Sequence, residues 1–164
     1  MHARVRLCFV CLGNICRSPT AAAVMQHLVD QAGLPGRIAI ESAGTSGWHV
    51  GEPPDVRSVA EARRRGILMN NRGQQFRAPD FDRFDLVLAA DHDNVAVLTR
   101  LAPTDAAQAK VRLLREFDPV PLDDLAVPDP YYGGENGFRD VFDLIEAACG
   151  GLLDELRAGP LAAR

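Results

Sequence analysis

The length, composition and charge of this chain exclude several classes of protein. Its 164 residues, 47% hydrophobic and 24% charged, suit a single globular domain over residues 1–164 with an ordinary core. A formal net charge of −4 disfavours nucleic acid or an anionic membrane as a partner. No apolar run reaches the ~20 residues of a membrane span, and the first residues lack a signal-peptide pattern. We therefore expect a cytoplasmic protein.

Predicted strands and helices alternate along the chain. The first element is a short apolar run, Val5–Val10, whose β-branched content favours a buried strand. The later elements are helix Ser18–Ala32, strand Ile38–Ser42, helix Asp55–Arg65, strand Asp85–Ala90, helix Asp91–Leu101, strand Lys110–Leu114 and helix Gly137–Leu156. This alternation predicts an α/β fold, a parallel sheet with helices on both faces. The arginine run 63–65 is expected on a solvated helix face.

The stretch Cys11–Ser18, where the first strand gives way to the first helix, is predicted to be an anion-binding loop. Ser18 is a good N-cap, and Pro19 suits the first helical position. Gly13 and Asn14 tolerate positive φ, so the loop can curl until its backbone N–H groups converge at the positive end of the helix dipole.

Cys11 and Arg17 determine the chemistry expected of this loop. Thiols at helix N-termini and beside cations ionise more readily than free thiols, and the planar guanidinium fork binds two phosphate oxygens at once. We therefore expect Cys11 to attack phosphorus as a thiolate while Arg17 binds the equatorial oxygens. Because ligands of such sheets bind outside the carboxyl ends of the strands, Ser42 and Asp91 are expected at the same edge.

The segment VCLGNICRSPTA, residues 10–21, strongly resembles the low-molecular-weight protein tyrosine phosphatases. Further matches are SAGTSGW at 42–48, GEPPD at 51–55 and DPYYG at 129–133, and the likeness extends over nearly the whole chain. It implies a four-stranded, flavodoxin-like (Rossmann-like) three-layer sandwich. It also implies hydrolysis of phosphotyrosine and small aryl phosphates through a phosphocysteine intermediate, without a metal or other cofactor.

The resemblance implies partners as well. The substrate is expected to be a tyrosine-phosphorylated protein, with a bacterial tyrosine kinase as one candidate. Inorganic phosphate or vanadate is expected to inhibit.

Asp129 is the predicted general acid, which protonates the leaving oxygen and then, as a base, activates the water that hydrolyses the phosphocysteine. Pro128 and Pro130 restrict its backbone. An isolated Asp-Pro pair would predict only a turn. The resemblance implies that this aspartate is instead the general acid. Asp91 is the rival acid, and we expect it instead to cap its helix or support the loop.

Supporting roles also follow from the resemblance. Ser18 is expected to donate a hydrogen bond to the Cys11 thiolate, to cap its helix, or both, and Asn14 to hold the loop through neighbours such as Ser42. Some family members carry a histidine in this network near the position of Asn71, and we assign Asn71 no role. The residues expected to bind phosphate besides Cys11 and Arg17 are Leu12, Gly13, Asn14, Ile15, Cys16 and Ser18.

Aromatic side chains are expected to wall the pocket mouth around a phenyl ring. Trp48 and Tyr131 are the candidate wall residues. For Tyr132, a place in the wall and packing in the core are equally expected. Cys16 is expected to form a reversible disulfide with Cys11 that protects it from overoxidation, and an inert buried thiol is the alternative.

Three alternative functions remain: arsenate reduction, phosphoarginine hydrolysis and phosphate binding without catalysis. Arsenate reduction on this fold needs a downstream cysteine pair, and only Cys149 lies downstream. Close relatives that hydrolyse phosphoarginine carry threonine where this chain has Ile15. A binding module would not need Cys11 and Asp129 together. Cys8 lies three residues from Cys11 along a strand and so points to the other face, which argues against a metal site.

Overall fold

The computed structural model describes residues 4–132 and 136–161, without the side chain of Tyr132, and contains a four-stranded parallel sheet. The strands are β1 (Val5–Cys11), β2 (Ile38–Gly44), β3 (Leu86–Ala89) and β4 (Val111–Leu113). Their order in the sheet is β2-β1-β3-β4, so β1 is central and pairs with β2 on one side and β3 on the other. The predicted fold class and parallel sheet are confirmed.

Helices cover both faces of this sheet. They are α1 (Arg17–Gln31), α2 (Val56–Arg64), α3 (His92–Leu101), α4 (Asp105–Gln108) and α5 (Gly137–Ala158), with 3₁₀ turns at Ala78–Asp82, Leu114–Phe117 and Pro130–Tyr132. Phe9 of β1 packs into one cluster with Met25 of α1 and Phe142 of α5. Its neighbour Val10 joins a second cluster with Leu98 of α3. Since neighbouring residues of a strand face opposite ways, the clusters form two cores, one on each face.

The apolar residues of α5 recur at helical spacing, and the side chains of β1 alternate between the two faces of the sheet as expected for a strand. The apolar stripe of α5 is buried, at Phe138, Val141, Phe142, Ile145 and Ala148. Cys8 and Cys11 belong to the clusters on opposite faces of the sheet. In the described part of the chain, no helix has both the length and the apolar composition that crossing a bilayer requires.

The prediction that the arginine run 63–65 is a solvated face is wrong for Arg65. Its guanidinium donates to Glu61 Oε2 at 2.7 Å, to Asp143 Oδ1 at 2.9 Å and to Glu146 Oε1 at 3.0 Å. Glu61 lies four residues earlier on the same helical face and is buried. Arg65 therefore joins the end of α2 to α5, a contact that the sequence of α2 alone does not reveal.

Candidate active site

The loop between β1 and α1 closes around a left-handed turn at Asn14, whose φ is 57°. Gly13, also expected to allow positive φ, instead provides room: a Cβ there would lie 3.1 Å from Cδ2 of His49. The left-handed conformation is costly for most side chains, so the loop needs bonds that hold it.

The side chain of Asn14 supplies those bonds from a buried position. Its Nδ2 donates to Ser18 Oγ at 2.8 Å and to Ser42 Oγ at 2.9 Å. Its Oδ1 accepts from the backbone N–H of Gln74 at 3.0 Å. Asn71 Nδ2 also donates to Ser42 Oγ, at 3.3 Å. The expected contact with Ser42 is present, and Asn71, to which we assigned no role, completes the network.

Backbone contacts hold the rest of the loop against β2 and the start of α2. The N–H of Thr45 donates to Cys11 O at 2.9 Å and that of Asp55 to Ile15 O at 2.8 Å. Gly44 permits this packing, since a Cβ there would lie 2.8 Å from Leu12 O. These contacts hold the loop in its curled shape.

Cys11 lies at the base of the loop with its thiol nearly inaccessible to solvent. Its Sγ is 3.0 Å from Ser18 Oγ and accepts from the backbone N–H of Asn14 at 3.3 Å. Both groups can stabilise a thiolate. The hydroxyl of Ser18 has one proton to donate, and Ala43 O, at 3.2 Å, is its alternative acceptor.

The prediction that Ser18 caps α1 is wrong. The helix begins one residue earlier, at Arg17, with Cys16 as N-cap and no side-chain capping bond. Ser18 lies inside the first turn, where its hydroxyl faces Cys11 and Asn14. The N-cap pattern thus placed the helix start to within one residue, and of the two roles expected of Ser18 the contact with Cys11 is present and the cap is not.

Arg17 is buried beside the loop and tied to the neighbouring strand ends. Its Nη1 donates to Asp91 Oδ2 at 2.7 Å and to the carbonyl of Val127 at 2.9 Å, and its Nη2 is 3.9 Å from Asp129 Oδ2. Burial disfavours the charged form, but the hydrogen bond to Asp91 and the surrounding negative groups outweigh it and raise the pKa of Arg17. The guanidinium is therefore a fixed positive charge.

Asp91, the rival acid, has both oxygens engaged. Oδ2 accepts from Arg17, and Oδ1 accepts from the N–H of Asn94 at 2.8 Å, which caps α3. The two supporting roles expected of it are thus both present. Asp91 is therefore a supporting residue of the loop and of α3.

Asp129 is more open than Asp91, with its side chain 41% exposed. Its Oδ1 accepts from the backbone N–H of Tyr131 at 3.0 Å, while Oδ2 faces Arg17. The turn that the Asp-Pro pair predicts is therefore present, and it directs the second oxygen towards the loop.

Most of the predicted site residues line one cavity of ≈ 140 Å³. Trp48 is 73% exposed and Tyr131 41% exposed, so both stand at its mouth. Asn14 and Ser18 do not line it and support the loop from behind. The cavity is lined by Cys11, Leu12, Gly13, Ile15, Cys16, Arg17, Trp48, His49, Asp129 and Tyr131. The side chain of Tyr132 lies outside the described residues.

Comparison with known proteins identifies the family. Residues 6–160 match the family model described as low molecular weight phosphotyrosine protein phosphatase. The chain belongs to this family. It is 50% identical over 153 residues to the low molecular weight protein-tyrosine-phosphatase of Streptomyces coelicolor, with 93% of each chain covered.

Solved structures of low molecular weight phosphatases match as well. A protein tyrosine phosphatase from Entamoeba histolytica superposes with a TM-score of 0.89 at 37% identity, covering 94% of this chain and 98% of that one. A crystal structure of drosophila arginine phosphatase superposes with a TM-score of 0.85 at 32% identity, covering 92% of this chain and 97% of that one. The four-stranded layout expected from the resemblance is confirmed.

Cys16 differs from Cys11 in its surroundings within this phosphatase loop. Burial raises the pKa of Cys16 to about 12, and the negative charges of Asp55 and Cys11 add to the effect. Cys16 is therefore a neutral thiol at physiological pH. All four cysteines are free, and no group of three potential metal ligands occurs within residues 4–132 and 136–161.

His49 is a lining residue that sequence reasoning missed. Its Nδ1 is 3.1 Å from Glu52 Oε1, and its ring lies against Gly13. A single histidine between Trp48 and Val50 carries no pattern of its own. Its approach to the phosphatase loop depends on how the segment after β2 folds back.

Proposed function

We propose that this protein hydrolyses phosphotyrosine in proteins through a phosphocysteine intermediate. The observation that carries the proposal is the meeting of Cys11, Arg17 and Asp129 at one cavity. A nucleophilic thiol, a fixed cation and a partly exposed carboxyl group are the three groups that phosphate monoester hydrolysis needs.

The first step transfers the phosphoryl group to sulfur. The Cys11 thiolate attacks phosphorus, a sulfur–phosphorus bond forms, and the bond from phosphorus to the phenolic oxygen breaks. Asp129, protonated at the start, donates its proton to that oxygen, so that a neutral phenol leaves. Arg17 and the loop N–H groups bind the three equatorial oxygens and offset their charge.

The second step releases phosphate. Asp129, now a carboxylate, takes a proton from a water molecule that attacks phosphorus, and the sulfur–phosphorus bond breaks. Ser18, 3.0 Å from the sulfur, donates to the departing thiolate. Inorganic phosphate is the product, and phosphate or vanadate is expected to occupy the same loop as an inhibitor.

Aryl phosphates fit the surroundings of the cavity better than alkyl phosphates. Trp48 and Tyr131 supply aromatic surface at the mouth, and Leu12 and Ile15 supply apolar surface near the loop. The expected substrate is a tyrosine-phosphorylated protein, with a bacterial tyrosine kinase as one candidate.

The proposal is tested with four substrates: phosphotyrosine, phosphoserine and phosphoarginine peptides, and arsenate. We expect turnover of phosphotyrosine in preference to the others, and loss of that turnover in Cys11→Ser with vanadate binding kept. Preference for phosphoarginine or reduction of arsenate would overturn the assignment. Turnover by Cys11→Ser would remove the proposed nucleophile.

A cytoplasmic location and redox protection complete the proposal. Four free cysteines are typical of a reducing compartment. Peroxide would oxidise Cys11 to a sulfenic acid. The thiol of Cys16 would then condense with this sulfenic acid, which forms a disulfide and releases water. A Cys11–Cys16 crosslink after peroxide treatment supports protection, and a sulfonic acid at Cys11 without a crosslink contradicts it.

A further inference from the structure

Arg57, near the start of α2, lies between the phosphate-binding loop and the segment that carries Asp129. Its Nε and Nη2 donate to the two oxygens of Asp55 at 3.0 and 2.9 Å. Burial disfavours the charge of Asp55, but the hydrogen bonds from Arg57 outweigh it and lower the pKa of this carboxyl. The two side chains therefore form a bidentate ion pair, which fixes the plane of the guanidinium.

Asp55 connects this pair to the phosphate-binding loop. Its backbone N–H donates to Ile15 O at 2.8 Å, and its side chain caps α2. Asp55 thus fixes the position of the Arg57 guanidinium relative to the loop that holds Cys11.

The other side of the guanidinium contacts Tyr131. Its Cζ is 5.3 Å from the centroid of the Tyr131 ring and 4.6 Å from that of Phe138, within the range of cation–π attraction. Its Nη1 reaches the carbonyl of Tyr131 at 3.4 Å. Arg57 therefore contacts both the ring and the backbone of Tyr131.

Tyr131 in turn orients Asp129, because its N–H donates to Asp129 Oδ1 at 3.0 Å. On the preceding side, Val127 is anchored to the sheet: its N–H donates to Ala90 O at 2.7 Å, and its carbonyl accepts from Arg17. The segment 128–132, the acid loop, is thus held by Val127 at one end and by Arg57 through Tyr131.

We propose that Arg57 is a positioning residue for the general acid. It ties the acid loop to the phosphate-binding loop and so sets the direction of the Asp129 carboxyl group relative to the leaving oxygen. This inference rests on the proposed function, since it assigns Arg57 a part in leaving-group protonation. Arg57 acts through Asp129 and does not itself touch the substrate.

The test compares leaving groups. Phenyl phosphate needs protonation of its leaving oxygen far more than p-nitrophenyl phosphate does. We expect Arg57→Ala to lower kcat/KM about tenfold for phenyl phosphate and at most about twofold for p-nitrophenyl phosphate, with inhibition by inorganic phosphate unchanged. Arg63→Ala, an exposed arginine of the same helix, is the matched control and should leave both rates unchanged.

A double variant separates positioning from a general structural effect. In an Asp129→Asn background, Arg57→Ala should cause no further loss with phenyl phosphate. Arg57→Lys, which keeps the charge and the aliphatic stem but not the fork, should show the same selective loss and serves if Arg57→Ala does not fold. Equal losses for both leaving groups, or a loss that persists without Asp129, would overturn the inference.

The failure of this inference differs from that of the proposed function. If Asp129→Asn lowers kcat/KM, which reports the phosphoryl-transfer step, equally for both leaving groups, the acid assignment itself fails. If Asp129→Asn discriminates between them and Arg57→Ala does not, the acid stands and the positioning role of Arg57 is wrong.

Discussion

Arg17 and Asp91 are joined by a hydrogen bond of 2.7 Å between Nη1 and Oδ2. The same carboxylate caps α3 through Asn94, so the start of the helix that follows β3 fixes the guanidinium at the start of α1. The phosphate-binding charge that follows the β1–α1 loop is therefore held by the neighbouring strand–helix connection.

Replacing Asp91 with serine should weaken phosphate binding. Serine keeps an N-cap for α3 but is too short to hold Arg17. Loss of a charged hydrogen bond of about 1.5–3 kcal/mol corresponds to a roughly 10- to 100-fold fall in kcat/KM, with weaker inhibition by inorganic phosphate. Steady-state kinetics with Asp93→Ser, an exposed residue of the same turn, as control checks this. An unchanged phosphate inhibition constant would contradict it.

Two variants of Asn14 separate backbone strain from side-chain bonding. Asn14→Ala loses three side-chain hydrogen bonds and must keep a φ of 57°. We expect the free energy of unfolding to fall by about 2–4 kcal/mol and activity to fall with it. Asn14→Gly should recover part of the stability but little activity, since glycine tolerates the φ but leaves the loop unheld.

Urea denaturation measures the effect, with exposed Asn70→Ala as the control. An alanine variant as stable as the parent would show that the Asn14 network does not shape the loop.

Arg65 should matter for stability and not for catalysis. Its guanidinium bridges Glu61 to Asp143 and Glu146 on α5, and removing it leaves the buried Glu61 without this cation. We expect Arg65→Ala to lower the free energy of unfolding by about 1–3 kcal/mol with kcat/KM unchanged. Arg63→Ala, on the exposed side of α2, is the matched control. If Arg65→Ala had the same free energy of unfolding as Arg63→Ala, the stabilising role of the ion pairs between Arg65 and α5 would be contradicted.

Stability should fall in alkaline solution because buried thiols resist ionisation. Burial raises the pKa values of Cys8, Cys16 and Cys149 above the ordinary value of 9.0. Above pH 9 the unfolded chain loses these protons before the folded chain does, so the stability present in full below pH 9 declines. Each thiol contributes a slope of about 1.4 kcal/mol per pH unit.

The free energy of unfolding measured from pH 8 to 11 tests this linkage. In Cys149→Ala the free energy of unfolding should decline less steeply with pH, by the contribution of one thiol. The free energy of each protein is compared with its own value at pH 8. An identical slope in both proteins would contradict the assignment to Cys149.

The parts of the site that could be predicted are those whose cause is local in the chain. Cys11 and Arg17 lie within one strand–loop–helix unit, so strand pattern, loop residues and helix start sufficed to bring them together. Asp129 is 112 positions from Arg17 in the numbering of the chain, and family resemblance, not pattern, assigned it. The choice between the two roles expected of Ser18 could not be made locally, since serine caps a helix and also binds a thiol, and the sequence pattern does not distinguish the two uses.

The contacts that could not be predicted join distant segments. His49, Arg57 and Asn71 lie in stretches with no motif of their own, and each meets distant partners only in the folded chain. His49 lies against Gly13, Arg57 against Tyr131 and Phe138, and Asn71 against Ser42. Arg65 shows the same limit on a helix, since its partners Asp143 and Glu146 lie on α5. A prediction of two helices, α2 and α5, does not report which charged residues meet between them.

The phosphocysteine intermediate is the central claim, and trapping it is the most direct test. Asp129→Asn should still be phosphorylated by p-nitrophenyl phosphate, whose leaving group needs little protonation, but should hydrolyse the intermediate slowly for lack of a base. Rapid mixing, quenching in alkaline denaturant, proteolysis and mass spectrometry should then place a phosphoryl group on Cys11, and none should be found in Cys11→Ser. Phosphate on another residue, or turnover without phosphorylated Cys11, would contradict the mechanism.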